Sequence, residues 1–472
     1  MIKKRGGNSM KGKYFILSFL VLGLTCLQVT AALGQNEARQ YDVDSILRSI
    51  AGGGDGTTLA TALQEAFKTN PTFLASRAEY SAARAAYRKS FGELLPSLKF
   101  SASASLKHVR NDGTIGRHSG GSNDIVTDEQ RLSLSQLVWD GGATMGRVDA
   151  DELHADSKLK EAYNKAAEVA LDATQYYLEV IRVRGILELS RRNVGNHEQV
   201  LKMVTLRQRS GAGTKADVYQ AEAALAEARS KQIYAEQAVR DAEADFANTF
   251  GALPGVLQLP AKEQAMLPAT IESGIGVAME NNDAIKAADL GIQQREKKLD
   301  SARGALLPSI SLRGGVGRAD NTSGFDESYN DASIGMYVNF TIFDGGSNRA
   351  AIAEARSLLR QAQFKREETR RAIEQDVRTA YNFMTATGDL LPVLADNVEQ
   401  NAKTLLSYFD QFRMGSRTLL DLLDAEKSLF VAEQALLNGK LANIYSFYRT
   451  CLPLSTLLEV LQLEEVAKVE EE

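Results

Sequence analysis

The chain is poor in proline, has almost no cysteine, and beyond its N-terminus offers no long apolar run. Of its 8 prolines, none lies between 97 and 253, and Pro392 alone interrupts 309–452. An interior proline costs a helix about 3 kcal/mol, so the first stretch is free to form long unbroken helices and the second is restricted only at Pro392. The 2 cysteines are Cys26 and Cys451. Cys26 falls in a segment that reads as an export signal, so the mature chain has no internal disulfide, and Cys451 reads as a buried thiol. No later segment supplies the run of about 18 apolar residues that a membrane-crossing helix needs. If this chain crosses a membrane, a closed β-barrel is the alternative that satisfies every backbone group in lipid. The 4 histidines, His108, His118, His154 and His197, show no metal-ligand spacing, and no nucleotide-binding loop is present. No metal, cofactor or enzyme chemistry is expected. The net charge of −5 is mild and argues against a nucleic-acid partner.

The N-terminus has a basic start (Lys3, Lys4, Arg5, Lys11, Lys13), a short apolar core from Phe15 to Leu24, and a small-residue cleavage pattern at Ala32-Leu33-Gly34. Residues 1–34 therefore read as a signal peptide, and initiation at Met10 gives it a more ordinary length. Gly23-Leu24-Thr25 is a poor match to what precedes a lipidated cysteine, which argues against Cys26 as an anchor.

What the chain does contain, it contains twice. Leu94-Leu95-Pro96-Ser97 returns as Leu306-Leu307-Pro308-Ser309, and Asn70 as Asn282, at an offset of 212. Asp140-Gly141-Gly142 returns as Asp344-Gly345-Gly346, and residues 211–222 return as 415–426, at an offset of 204. Registers this strict mark two copies of one structural unit. The single change in length falls between the proline and the Asp-Gly-Gly, where a loop tolerates it.

Within each copy the hydrophobic period switches. Residues 36–56 read as a flexible polar lead. Helical stretches over 58–69 and 72–93 lead to a run of period two, in which Leu98, Phe100, Ala102, Ala104 and Leu106 alternate with Lys99, Ser101, Ser103, Ser105 and Lys107. The same alternation predicts strands at 97–107, 129–139, 309–318 and 333–343, with loops at 108–128 and 319–332. After each Asp-Gly-Gly the helical period resumes, predicting helices over 143–210 and 214–250, then 347–414 and 418–450. The first repeat is thus 35–250, the second 271–450, with a proline-bearing linker at 251–270 and a C-terminal segment at 451–472 holding a short helix at 454–461. Pro392 stands where the first copy has Glu188, so a kink is expected there.

Four strands cannot close a barrel, and open strand edges are not tolerated in lipid. A dimer contributes eight strands, whose barrel side chains nearly fill; a trimer contributes twelve and leaves an aqueous bore. Pro96 and Pro308 stand on the way into the strands, and Asp140, Gly141, Gly142, Asp344, Gly345 and Gly346 on the way out. Glycine accepts backbone angles closed to other residues and aspartate caps the helix that follows, so these are the expected joints between a β-barrel and a helical barrel.

The doubled Leu-Leu-Pro-Ser, the doubled Asp-Gly-Gly, the Asn-Pro helix start and GSRTLLDLLDA at 415–425 together resemble the TolC-type outer-membrane efflux family over residues 57–465. The resemblance implies an α+β membrane protein with a long α-helical coiled-coil barrel in the periplasm. Four strands per chain would contribute to a trimeric twelve-stranded β-barrel in outer-membrane lipid. It further implies a tunnel mouth ringed by Asp421 and Asp424, held shut near Phe412 and Arg417, with Asp217 receiving that arginine. Asp421 and Asp424 share one helix face, and six such carboxylates around one axis would repel. Both also fit ordinary helix-start acids. Phe412 replaces the tyrosine often found there. The turns carrying Gly211, Gly213, Thr214, Gly415, Ser416 and Thr418 are the implied contacts for a periplasmic adaptor (membrane fusion) protein. That adaptor would connect to an inner-membrane ABC exporter or a proton-driven pump. The expected function is a passive exit duct for type I protein secretion, for efflux of small toxic molecules, or for both. The competing reading is a periplasmic coiled-coil adaptor that does not span the membrane.

Overall fold

A computed structural model of the chain describes residues 43–52, 56–109, 123–262, 267–321 and 328–468. The expected signal segment, and the parts of the two strand-joining loops at 110–122 and 322–327, lie outside the described residues. The chain divides into two units, one holding residues 70–170, 267–379 and 451–472, the other holding 1–69, 171–266 and 380–450.

The elements repeat as the sequence does. α1 (Val43–Ile50) stands alone; α2 (Leu59–Thr69), α3 (Pro71–Phe91), β1 (Ser97–Val109), β2 (Asn123–Trp139), α4 (Ala143–Arg209) and α5 (Lys215–Phe250) form the first copy. α6 (Ile271–Asn281), α7 (Asp283–Gly304), β3 (Ser309–Asp320), β4 (Ser328–Asn339), α8 (Ser347–Arg413) and α9 (Leu419–Cys451) form the second, followed by α10 (Leu457–Val460) and α11 (Glu464–Ala467). α4 and α8 are each 67 residues long. Asn70 and Asn282 cap α3 and α7, each side-chain oxygen accepting two backbone amides, which satisfies donors a helix start leaves free.

The first unit carries one antiparallel sheet in the order β1-β2-β3-β4. Each copy supplies one hairpin, and β2 pairs with β3 to fuse them, although they are far apart in sequence. Directly opposed residues share a face. Leu98, Leu134, Gly314 and Ile334 form one row across the sheet, and Phe100, Leu132, Val316 and Ala332 the next. Their larger side chains are exposed. On the opposite face run Lys99, Ser133, Gly315 and Ser333, then Ser101, Arg131, Gly317 and Asp331. In that last row the Arg131 guanidinium donates to both oxygens of Asp331 at 2.9 and 3.1 Å. It reaches across Gly317, where a Cβ would stand 2.7 Å from Asp331 Oδ1.

Several boundaries differ from the sequence reading; β1 and β3 each run two residues further than expected. β2 begins at Asn123, extending the hairpin outward. β4 spans 328–339 instead of 333–343, for a pairing reason. Gln136, Leu137 and Trp139 of the first copy lie against β3, whereas their equivalents at 340, 341 and 343 sit beyond an edge with no strand beside them. The β2–β3 register also shifts between Leu137 and Trp139, a bulge that brings Trp139 opposite Ile310 and so onto the apolar side. The stretch 36–56 is not wholly a lead: α1 buries Val43, Ile46 and Leu47, and Lys440 pairs with its Asp44. The C-terminal segment forms two short helices where one was expected. α8 continues as one helix through Pro392.

In the second unit the core is aliphatic and aromatic. Leu63, Phe67, Tyr177, Leu422, Leu437 and Phe447 are fully buried, each contributing about 1.5–3 kcal/mol. Phe246 and Phe250 stack at 4.0 Å. The buried Tyr177 hydroxyl lies 2.7 Å from the Thr57 carbonyl and 2.6 Å from that of Gln258, beside the bridge pairing Thr57 with Leu257. Glycine permits helix contact here: a Cβ on Gly185 would meet Leu437 at 2.7 Å, and one on Gly439 would meet Leu394 at 2.6 Å.

Candidate functional site

Two turns, one after α4 and one after α8, are built alike. Gly211 and Gly415 both have φ of +81°, a left-handed conformation that glycine adopts without strain. The amides of Ala212 and Ser416 donate to the carbonyls of Arg207 and Gln411, both at 2.9 Å. Thr214 and Thr418 then cap the next helices. The Thr214 amide donates to Asp217 Oδ2 at 2.8 Å, and the Asp217 amide to Thr214 Oγ1 at 3.1 Å. In the second turn the Thr418 amide donates to Asp421 Oδ2 at 3.2 Å and the Asp421 amide to Thr418 Oγ1 at 3.3 Å. These are reciprocal capping boxes.

The turns differ at the positions of their arginines. The first has Arg207 and Gly213 where the second has Gln411 and Arg417. Arg207 reaches across to the second turn: its Nη1 donates to the Phe412 carbonyl at 2.5 Å, and its guanidinium lies 4.6 Å from the Phe412 ring centroid. Phe412 is buried beneath it. Arg417 stays within its own turn. Its Nε donates to Gln411 Oε1 at 2.9 Å, its guanidinium lies 4.2 Å from the Tyr408 ring, and Nη1 stands 3.8 Å from Asp421 Oδ2. Among the described residues no ion pair joins Arg417 to Asp217, whose carboxylate is occupied by Thr214.

Asp421 is half-exposed and Asp424 exposed. The hydroxyl and then the amide of Thr418 hold the Asp421 carboxyl below its ordinary range, with Arg417 adding to the effect. Asp421 therefore stays ionised while it caps α9. Leu206, Tyr219, Met414 and Leu420 are exposed around the two turns.

At the other end of the long helices stand the Asp-Gly-Gly turns. Gly141 and Gly142 have φ of +71° and +85°, Gly345 and Gly346 +71° and +93°. Two successive left-handed residues explain why two glycines stand there. Asp140 Oδ2 accepts from the Thr144 amide at 2.8 Å and Asp344 Oδ2 from the Asn348 amide at 2.7 Å. The first joint is crowded: a Cβ on Gly141 would lie 2.6 Å from the Gly304 carbonyl oxygen and from Leu307, while one on Gly345 would meet nothing within 4 Å. Pro96 and Pro308 immediately precede β1 and β3.

Sequence reasoning missed Arg207. The signal was present: once the copies are aligned, an arginine opposite Gln411 and a glycine opposite Arg417 show that the two turns divide their charge differently.

The chain matches the family described as "Outer membrane efflux protein" over residues 62–252 and 274–444. It is similar to the outer membrane efflux protein BepC of Brucella suis, 26% identical over 392 residues that cover 81% of this chain and 82% of that protein. It is similar to the outer membrane protein TolC of Vibrio cholerae, 23% identical over 427 residues that cover 88% of this chain and 95% of that protein. Its fold is that of the CmeC outer membrane channel of Campylobacter jejuni, with a TM-score of 0.75 at 16% identity, covering 88% of this chain and 90% of that one.

Proposed function

The chain belongs to the outer membrane efflux protein family, and from that premise we propose that it serves as the passive exit duct of a tripartite export machine. It is an outer-membrane efflux channel that extends into the periplasm, a transport protein and not an enzyme. The observation that carries the duct reading is the sheet. Among the described residues its four strands leave β1 and β4 each paired on one side only, with an exposed apolar face and an opposite face rich in serine and charge. Three copies joined β4 to β1 close those edges into twelve strands, apolar outward to lipid and polar inward to water. An adaptor confined to the periplasm has no use for such a sheet.

The turns are the periplasmic gate in this reading. Asp424, exposed and not engaged in the capping box, faces the axis with Asp421 beside it. The exposed apolar side chains around Gly211, Gly213, Thr214, Gly415, Ser416 and Thr418 receive the hairpins of a periplasmic adaptor. A pairing of Arg417 with Asp217 would add to the grip of the gate between neighbouring copies. Energy comes from an inner-membrane ABC exporter or proton-driven pump. The test is purification from outer membranes in detergent, followed by mass measurement and planar-bilayer recording. Trimers that conduct cations are expected; dimers only, or release from membranes by salt without detergent, would overturn the reading.

A further inference from the structure

Between the two turns and the buried core around Tyr177, α4 and α9 enclose a seam of polar groups that the duct itself does not require. Glu426 and Glu433 lie two turns apart on one face of α9, and Arg192 and Asn196 one turn apart on the facing side of α4. Glu433 pairs with Arg192, their side chains 3% and 16% exposed. Asn196 Nδ2 donates to Glu426 Oε2 at 3.2 Å, and Glu426 is 7% exposed. Glu433 Oε1 has no hydrogen-bond partner among the described residues. Leu189 of α4 and Leu422, Leu429 and Leu437 of α9 are buried as well.

The charge balance is uneven. One arginine cannot neutralise two buried carboxylates, and an uncompensated buried charge is the costly state. Burial pushes the Glu433 carboxyl up to about 7, against the pull of Arg192 and with a further push from Glu426. Burial also raises Glu426, against Asn196 and Arg192. His197, buried one residue beyond Asn196 on α4, is shifted down by burial and then by Lys231, against Glu227 of α5, which disfavours it as a second counter-charge.

We propose that this seam is a proton-operated latch: α4 and α9 pack tightly while one of the two carboxyls holds a proton, and loosen as it leaves, freeing the turn that carries Asp421 and Asp424. The consequence for the gate rests on the duct reading above; the helix packing does not. The sign follows from linkage. A carboxyl raised by folding contributes its stability fully below its ordinary value near 4.5 and loses it as pH rises through about 7. Acid therefore closes the seam and alkali opens it.

Hydrogen exchange on the detergent-solubilised protein tests the packing. After correction for the intrinsic pH dependence, local opening of segments 187–200 and 422–437 is expected to rise about tenfold between about pH 6 and about pH 8. Segments around Tyr177 should not change. Glu433→Gln, which mimics the protonated side chain, should remove the rise, and Glu426→Gln is the second variant should the first fold poorly. Channel conductance should increase over the same window in the wild type and stay flat in Glu433→Gln. Exchange without pH dependence, or an undiminished rise in both glutamine variants, overturns the latch. A pH-dependent seam with conductance unaltered by Glu433→Gln overturns its action on the gate. Failure of the gate reading shows separately, as unchanged ion selectivity when Asp421 and Asp424 are replaced.

Discussion

Arg207 holds Phe412 in two ways, donating to its carbonyl at 2.5 Å and covering its ring at 4.6 Å. It links the turn of the first copy to that of the second within one protomer. The arginine singled out by family resemblance, Arg417, instead braces its own turn through Gln411 and Tyr408.

Arg207→Ala should loosen the closed mouth. A hydrogen bond to a charged donor and a cation–π contact together contribute roughly 2–3 kcal/mol, and every copy in the assembly loses them at once. Single-channel conductance is expected to rise several-fold, and Arg417→Ser to give a smaller increase. Equal conductance in Arg207→Ala and wild type would show that this contact does not restrain the mouth.

The two acids should separate by role. Asp424→Ala removes a charge that caps nothing, so cation selectivity and block by multivalent cations should fall with little loss of stability. Asp421→Ala also removes a cap worth about 1 kcal/mol and should lower the melting temperature as well. Asp421→Ser, which keeps a capping oxygen, should restore stability without restoring selectivity. Reversal potentials and thermal unfolding measured on the same preparations check all three.

Gly317→Ala should disturb the sheet more than its size suggests. A methyl there would lie 2.7 Å from Asp331 Oδ1 and 3.0 Å from Arg131 Nη2, in the path of a bidentate pair that ties β2 to β4 over β3. The expected loss is about 1–2 kcal/mol, seen as dissociation of the assembly at lower temperature. Asp331→Asn should have a milder effect, and the double variant should lose less than the sum of the two.

Though the joints repeat in sequence, they should not respond equally. Gly141→Ala meets both a left-handed backbone and two close neighbours, whereas Gly345→Ala meets only the backbone, costing about 1–2 kcal/mol. The first is expected to reduce folded protein in the outer membrane severely, the second modestly. Comparable yields of the two variants would contradict the crowding seen at Gly141.

Periodicity and repetition determined most of the architecture. The alternation from Leu98 to Leu106 could only be a half-apolar strand, because side chains on a strand alternate faces. The stretches after each Asp-Gly-Gly, the first free of proline and the second holding only Pro392, carry the helical period and predict long helices, and the doubled register required each element to occur twice. Those are properties of the chain's local order, and they survive whatever surrounds them. The tertiary structure decided what depends on neighbours distant in sequence. β4 stops at Asn339 because no strand lies beyond it, and the bulge turns Trp139 to the apolar side because β3 slips against it. α1 is a helix because the core accepts Val43, Ile46 and Leu47. Arg207 rather than Arg417 crosses between the turns, and Glu433 lies buried against Arg192, because packing two helices sets which side chains meet and how far water is excluded. No spacing along the chain records either quantity.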